Sequence, residues 1–371
     1  MIMKTAVFIR TTNIYDDSRA TKEIVAVIKA GYFVVVLGWD RNGLAFEKSQ
    51  KVFEEYSEQI SFDFFSCPLP NGIGVKNIDK LFKWSKWIKH QLKALSRIDI
   101  IYICNLDSGI GLKAFCKKRN IPYFYDIYDY YIDSHNIPKF LVPLVEYMEC
   151  DLINNAHTTV ICTEERKSQI SKAHPQNLIV VHNSPDMQQQ IQSSIEYDYV
   201  YCGSLCEKRL IKEILNEYHK HSTLKFVFAG NDSYRSFVEE FAKKYNNLDF
   251  AGTITYSEVL DIESKALAIS AIYEPSIRNH QLCAPNKFYE ALALAKPVIV
   301  CKGTGIDNIV RKNKIGIVIG YNAEEFYDAV IWLKNNPNEA RTMGEKARLL
   351  YEEKYRWSLM EAKIINSLQI V

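Results

Sequence analysis

The sequence predicts an α/β protein built from two doubly wound parallel-sheet domains facing each other across a cleft. Three observations carry that expectation. Short β-branched or aromatic runs alternate with longer amphipathic ones, the strand-like runs are continuously apolar, and one polar, glutamine-rich stretch interrupts the alternation before it restarts. Continuous apolar strands separated by helices belong to a parallel sheet covered on both faces. At 371 residues the chain exceeds one ordinary core and fits two domains of about 150–200 residues each.

In the first half, strands are expected at Thr5–Ile9, Phe33–Leu37, Ile60–Phe65, Asp99–Ile103, Pro122–Asp126, Thr158–Cys162 and Leu178–Val181. Between them, helical periodicity predicts Ser18–Ala30, Ile78–Leu95, Gly109–Arg119, Leu141–Ala156 and Glu164–Ala173. The stretch Ser184–Ser194 has no apolar period and reads as the linker. Beyond it, strands are expected at Tyr197–Tyr201, Lys225–Ala229, Asp249–Ala251, Leu267–Ile272, Pro297–Val300 and Gly316–Ile319. The matching helices are Lys208–His219, Tyr234–Tyr245, Tyr256–Ser264, Asn286–Ala295, Ala323–Asn335, Pro337–Lys354 and Trp357–Leu368. The domains are therefore drawn as 1–185 and 196–356, with a linker at 186–195 and a last helix, 357–371, packing back onto the first domain.

Hydrophobic content of 47% and charged content of 24% are those of a globular chain. A net charge of +2 provides no global field to recruit nucleic acid. The nine cysteines are scattered through apolar runs with no Cys-x-x-Cys pair and no zinc spacing, as expected of reduced thiols in a cytoplasmic protein. Met1 to Phe8 lead straight into a strand, so no signal peptide is expected, and no apolar run approaches the length of a membrane span.

Ligands of open parallel sheets bind at the carboxyl ends of strands. The first strand-to-helix turn, Arg10 to Arg19, lacks Gly-x-Gly-x-x-Gly, which argues against a dinucleotide cofactor. Three turns of the second half carry groups suited to a nucleoside diphosphate. Tyr201-Cys202-Gly203-Ser204 leads to Lys208 and Arg209, where a glycine permits close approach and two cations answer phosphate charge. Gly230 directly follows another strand. Pro285-Asn286-Lys287-Phe288-Tyr289-Glu290 opens a helix whose positive end, amide and ammonium suit a diphosphate, with an acid one turn further in for ribose hydroxyls. Each of these also has a plain structural reading, as turn glycines, solvated lysines or a first-turn acid. No Asp-x-Asp triplet occurs, so no essential divalent cation is expected at the diphosphate.

At these residues the chain resembles the GT-B glycosyltransferases, family 4 in particular, and the resemblance spans nearly all of it. Gly203-Ser204-Leu205 with Arg209, Phe226 to Gly230, the Pro285-Asn286-Lys287-x-x-Glu290 variant and Lys296-Pro297-Val298-Ile299 are similar to the family's donor-domain motifs. Asp17-Ser18-Arg19, Gly31 to Val36, Tyr125-Asp126-Ile127-Tyr128-Asp129 and Val181 to Pro185 are similar to its first half. The resemblance implies the GT-B fold and a retaining transferase moving a sugar from a nucleotide-diphosphate sugar to a saccharide or lipid-linked saccharide, as in surface polysaccharide assembly. It implies donor binding by Gly203, Ser204, Lys208, Arg209, Gly230, Asn286, Lys287 and Glu290. Arg209 and Lys287 would stabilise the departing diphosphate, and Tyr128 and Asp129 would supply the catalytic part from the other domain. Asp17, Arg19 and Asp126 would lie on the acceptor side, although Asp17 and Arg19 can equally pair with each other and cap the helix. No cofactor is implied.

The chain departs from the family pattern at three places. Leu282 stands where many members have a first glutamate, Tyr128 where histidine is frequent, and Ser204 where arginine is common. These departures leave a second reading open, a catalytically silent nucleotide-sugar-binding partner, with a sugar-nucleotide epimerase as a third. The stretch 79–97 sets Lys80, Lys83, Lys86, Lys89 and Lys93 beside Trp84 and Trp87. It is either an amphipathic helix with solvated lysines or a peripheral contact with an anionic membrane at the inner face of the cell membrane.

Overall fold

The computed structural model describes residues 3–68, 78–187 and 193–370. Residues 188–192 of the expected linker lie outside them. The chain divides into two compact units, Met1–His182 with Met360–Val371, and Asn183–Leu359.

The first unit is built on a seven-stranded sheet: β1 (Lys4–Arg10), β2 (Tyr32–Asp40), β3 (Ile60–Ser66), β4 (Ile100–Cys104), β5 (Tyr123–Ile127), β6 (Thr158–Ile161) and β7 (Leu178–Val180). Their spatial order is β3-β2-β1-β4-β5-β6-β7 and every pairing is parallel. β1 is the switch strand. Its Phe8 is in register with Val36 of β2 on one side and Tyr102 of β4 on the other. The chain winds outward from β1 in both directions, which opens a crevice at the carboxyl ends of β1 and β4. Asp17 starts the helix Ser18–Lys29 by accepting from the Ala20 N–H, and Ala20, Ile24, Val27 and Ile28 form its buried stripe. The last helix adds a hydrogen bond from the Lys363 ammonium to the Val180 carbonyl and an ion pair between Lys29 and Glu361.

In the helix Ile78–Ala94, Trp84 is fully buried and lies 5.5 Å from Trp39. Trp87 stacks on Trp84 at 5.4 Å and also meets Phe65. Both indoles therefore pack inward, whereas the expectation of a lipid contact set them beside the lysines. Period-3.6 packing sends Trp84, Ile88 and Leu92 to the core and leaves Phe82, Lys83, Lys86 and Lys93 exposed.

The second unit carries six parallel strands: β8 (Tyr197–Cys202), β9 (Phe226–Ala229), β10 (Leu248–Phe250), β11 (Ala266–Ala271), β12 (Val298–Cys301) and β13 (Gly316–Ile319). They run in the order β10-β9-β8-β11-β12-β13, so the switch point falls between β8 and β11. Helix starts are chemically marked. Thr255 and Glu258 form a reciprocal capping box, and Asn322 accepts from the Glu325 N–H.

Several helices differ from expectation. The predicted helix Lys208–His219 begins only at Ile211, because Leu210 takes a left-handed conformation at φ 61° after a 3-10 turn, Glu207–Arg209. Lys208 and Arg209 are thus turn residues. Gly111, at φ 72°, splits the expected helix at 109–119, and only the 3-10 turn Glu165–Ser168 forms where Glu164–Ala173 was expected. Of the described helices of eight residues or more, two, Ala45–Val52 and Ile306–Asn313, were not expected. Each has eight residues, little more than two turns of apolar signal.

Candidate functional site

At the β8/β11 switch point the backbone comes first. Gly203 follows β8 and donates its N–H to the Ala229 carbonyl at 2.8 Å. A Cβ on Gly230 would run into the Gly203 carbonyl, and one on Gly203 would meet the Lys287 ammonium. Two glycine backbones therefore lie against each other, with a cation directly over the first.

Lys287 is in the first turn of the helix Asn286–Ala293, whose N-cap is Pro285. Its Nζ is 5.0 Å from the Tyr201 ring centroid. Burial opposes its charge, but Glu290, Tyr273 and Glu263 outweigh burial and raise its pKa, so it stays an ammonium. Asn286 bonds the Asn183 side chain. Glu290, one turn along, is 3% exposed.

Arg209 lies with its guanidinium 3.9 Å from the centroid of Tyr273, two residues beyond β11. Its Nη1 is 3.4 Å from His280 Nε2, and His280 Nδ1 is 3.0 Å from the Glu274 carbonyl. Burial lowers the His280 pKa, and Arg209 and Lys208 lower it further. Neutral His280 with a proton on Nδ1 donates to Glu274 and turns an Nε2 lone pair to Arg209. Tyr321 fixes this turn by accepting from the Leu210 N–H and donating to the Glu207 carbonyl. Lys208 is exposed. Ser204 donates its hydroxyl to Asp232 at 2.5 Å. The structure thus gathers Gly203, Gly230, Arg209, Asn286, Lys287 and Glu290 around one strand-end crevice. Tyr201 and Tyr273 join them, although sequence reasoning gave neither a role. The position of Tyr273 just past a switch strand is the signal that could have found it.

In the first unit, the corresponding crevice holds a buried charge network. Asp17 pairs with Arg10 at 2.8 Å, not with Arg19. Arg19, 4% exposed, is bound to Glu23 and Asp126, each at 2.9 Å, and donates to the Val181 carbonyl. Asp126 is fully buried and also accepts from the Tyr102 hydroxyl. Arg19 and Asp126, expected on the acceptor side, are each other's counter-ions inside the fold. Helical i,i+4 spacing puts Glu23 beside Arg19.

Tyr128 is also drawn inward. Its hydroxyl donates to Glu23 at 2.6 Å, and its ring lies 3.9 Å from the Arg10 guanidinium and 4.7 Å from that of Arg19. Burial, and next the Asp126 charge, push the Glu23 pKa well up, against the opposing pull of Arg19. Asp129 is different. Its side chain is 48% exposed, and it pairs with Arg166 at 3.2 Å. The Asn105 Oδ1, from a residue held at φ 63°, accepts from the N–H groups of Tyr128 and Asp129. Arg10, Glu23, Asn105 and Arg166 were not anticipated.

Among the described residues, no three His, Cys, Asp or Glu side chains are grouped to hold a metal ion, and no helix is long and apolar enough to cross a membrane.

Residues 183–350 match the family described as "Glycosyl transferases group 1", a span that opens at the first residue of the second unit. No curated protein matches the chain in sequence. Among solved structures it is similar to Anabaena HepE in complex with UDP-glucose, at 12% identity and TM-score 0.73, over 99% of this chain and 100% of that one. A sucrose-phosphate synthase from Thermosynechococcus elongatus aligns at 14% identity and TM-score 0.68, over 99% of this chain and 98% of the other. WaaG, a glycosyltransferase involved in lipopolysaccharide biosynthesis, aligns at 14% identity and TM-score 0.62, covering 97% and 98% of the two chains. These likenesses give the fold as GT-B. Residues 183–350 thus carry a glycosyltransferase group 1 domain, within a chain that has the GT-B fold.

Proposed function

We propose that the protein is a retaining transferase of the family 4 type, in its Pro-Asn-Lys-x-x-Glu subgroup. It moves a sugar from a nucleotide-diphosphate sugar to a saccharide or lipid-linked saccharide during surface polysaccharide or glycoconjugate synthesis. One observation carries this reading. At the β8/β11 switch point the Lys287 ammonium lies over Gly203, and Arg209 rests on Tyr273 in the same crevice.

Breaking the bond between sugar and diphosphate leaves negative charge on the departing oxygens. Lys287, Arg209 and the positive end of the helix Asn286–Ala293 answer that charge without rearranging. Glu290 accepts the ribose hydroxyls. These cations take the role that a divalent ion would otherwise fill, so transfer proceeds with chelator present. Asp129, the exposed acid of the first unit's crevice, acts on the transferred group; Arg166 pairs with its carboxylate, and the Asn105 side-chain oxygen accepts from its N–H. HepE, solved with UDP-glucose, supports a nucleotide-sugar donor, and WaaG, involved in lipopolysaccharide biosynthesis, supports a role in surface glycan synthesis.

The protein works in the cytoplasm at the inner face of the membrane. Exposed Phe82 with Lys83 and Lys86 supplies the contact, without the tryptophans. Sedimentation with anionic but not neutral vesicles, abolished by salt, is the expected result; no sedimentation at low salt removes this part.

A second reading, nucleotide-sugar binding without transfer, is favoured by the Tyr128 hydroxyl being committed to Glu23. Donor hydrolysis and transfer over a panel of UDP-, GDP- and dTDP-sugars, with Arg209→Ala and Glu290→Ala alongside, separate the two. Turnover lost in both variants supports the transferase. Tight nucleotide binding without turnover on any acceptor favours the silent partner.

A further inference from the structure

The loop that follows β11 closes on itself before the helix Asn286–Ala293 begins. The Ile277 N–H donates to the Glu274 carbonyl at 3.3 Å, and the His280 N–H donates to the Ile277 carbonyl at 2.9 Å. The Gln281 side chain donates to the Pro275 carbonyl, also at 2.9 Å. Gly305 packs beneath, where a Cβ would stand 2.7 Å from the Gln281 carbonyl oxygen. This fold brings the His280 ring back to the end of β11. It meets Tyr273 edge-on, with 5.2 Å between centroids and 80° between planes. Arg209 lies over the same Tyr273 ring at 3.9 Å.

Two partners of opposite kind hold the imidazole. The Glu274 carbonyl, 3.0 Å from Nδ1, only accepts, and the Arg209 guanidinium, 3.4 Å from Nε2, only donates. Neutral histidine with its proton on Nδ1 satisfies both. The other neutral tautomer and the imidazolium each set an N–H against the guanidinium, and the imidazolium adds a like charge beside it. Burial opposes that charge most. Arg209 and Lys208 oppose it further, while the Glu274 carbonyl and carboxylate favour it, and the balance lowers the His280 pKa. Nη1 of Arg209 also donates to the Lys208 carbonyl at 3.1 Å. An arginine side chain has much rotamer freedom to lose, so one already held in place binds a ligand at a smaller ordering cost.

We propose that His280 is a positioning residue of the donor site: its neutral Nε2 lone pair keeps the Arg209 guanidinium on Tyr273, ready for a diphosphate. The diphosphate rests on the function proposed above, whereas the His280–Arg209 contact does not. Protonation cancels the contact, because the lone pair is lost and the two cations repel. Arg209 then regains its rotamers, and binding weakens in acid. An imidazolium that answered the phosphate itself would give the opposite trend.

The test compares wild type, His280→Gln and His280→Phe, with affinities for UDP, GDP and dTDP taken by calorimetry from pH 8 to pH 5. Glutamine presents an amide oxygen near the place of Nε2 and does not titrate. Phenylalanine keeps a ring against Tyr273 and has no lone pair. At pH 8, His280→Gln should bind as wild type does, and His280→Phe about twofold to tenfold more weakly, the cost of ordering one rotamer-rich side chain. As pH falls, wild type should descend from the level of His280→Gln to that of His280→Phe. Ratios taken at one pH cancel the titration of the nucleotide itself. In an Arg209→Ala background, His280→Phe should change affinity by less than about twofold, because its effect passes through Arg209.

Three results overturn the proposal: wild-type affinity that rises in acid relative to His280→Gln, equal binding by wild type and His280→Phe at pH 8, or the same loss with and without Arg209. If wild type binds none of the three nucleotides, the donor reading fails instead, and NMR of the histidines in the unliganded protein decides the contact. The expected result is a proton on Nδ1 of neutral His280, with a titration midpoint below that of ordinary histidine that moves up in Arg209→Ala. A proton on Nε2, or a midpoint that Arg209→Ala leaves in place, refutes it. Should a His280 variant not fold, the same NMR titration decides.

Discussion

Removing the Tyr128 hydroxyl distinguishes an interior role from a sugar-contacting one. In Tyr128→Phe the ring keeps its place between the guanidinium groups of Arg10 and Arg19, 3.9 and 4.7 Å from its centroid. What disappears is the 2.6 Å hydrogen bond to the buried carboxylate of Glu23. Removing one partner of a buried hydrogen bond, so that the other is left unsatisfied, costs about 2 kcal/mol. The remaining Arg19 contact at 2.9 Å keeps Glu23 from losing every partner. In a unit of this size, about 2 kcal/mol corresponds to a fall of roughly 4–8 °C in melting temperature. Differential scanning calorimetry with urea unfolding reads the change, and donor turnover is measured on the same preparation below the melting range. A lowered melting temperature with turnover retained is the expected outcome. An unchanged melting temperature with turnover lost would show that the hydroxyl works on the substrate, and the interior assignment would be wrong.

Gly230→Ala places a methyl against the Gly203 carbonyl at a backbone φ of 137°, so a loss of about 2–4 kcal/mol is expected, with nucleotide binding abolished; a fully stable variant contradicts the backbone packing. Arg209→Lys keeps the charge but loses the planar group on Tyr273, and the affinity for a nucleoside diphosphate should fall about tenfold, read by calorimetry. Burial pushes the Glu149 pKa up to about 8, against hydrogen bonds from Tyr125 and the Tyr131 N–H. Because this folded pKa lies above the ordinary carboxyl value, the associated stability is present below about pH 4.5 and lost as pH rises toward about 8. Glu149→Gln should therefore gain on wild type across that window by at most about 1.4 kcal/mol per pH unit, and a stability difference independent of pH refutes the assignment.

The strands were legible because buried parallel strands are continuous apolar runs, and Val34–Leu37, Ile100–Ile103 and Val298–Val300 leave little choice. Helices were legible where caps and periodicity agree, as at Asp17–Lys29 and Thr255–Ser264. They were misread where a single backbone conformation overrides propensity. Nothing in Lys208-Arg209-Leu210 announces that Leu210 turns left-handed; the Tyr321 hydroxyl, 111 residues away, holds the turn that makes it do so.

The same limit divides the candidate site. Gly203, Arg209 and Lys287 could be gathered from sequence because strand-end turns are readable and switch points collect them. The pairing of Arg19 with Asp126 spans 107 residues, and that of Tyr128 with Glu23 spans 105. Residues that look like surface polar groups in a strand-end motif are here one another's counter-ions. Only the three-dimensional register of β1, β4 and β5 brings them together.

Calorimetric titration of UDP, GDP and dTDP into wild type and Lys287→Met tests the central claim most directly, because the Lys287 ammonium over Gly203 is the contact on which the donor site rests. The account predicts one-site binding of at least one of these nucleotides to wild type and a loss of about tenfold to a hundredfold in the variant, the worth of a charge-assisted contact. Equal affinities in the two proteins, or no binding to wild type by any of the three, would contradict it.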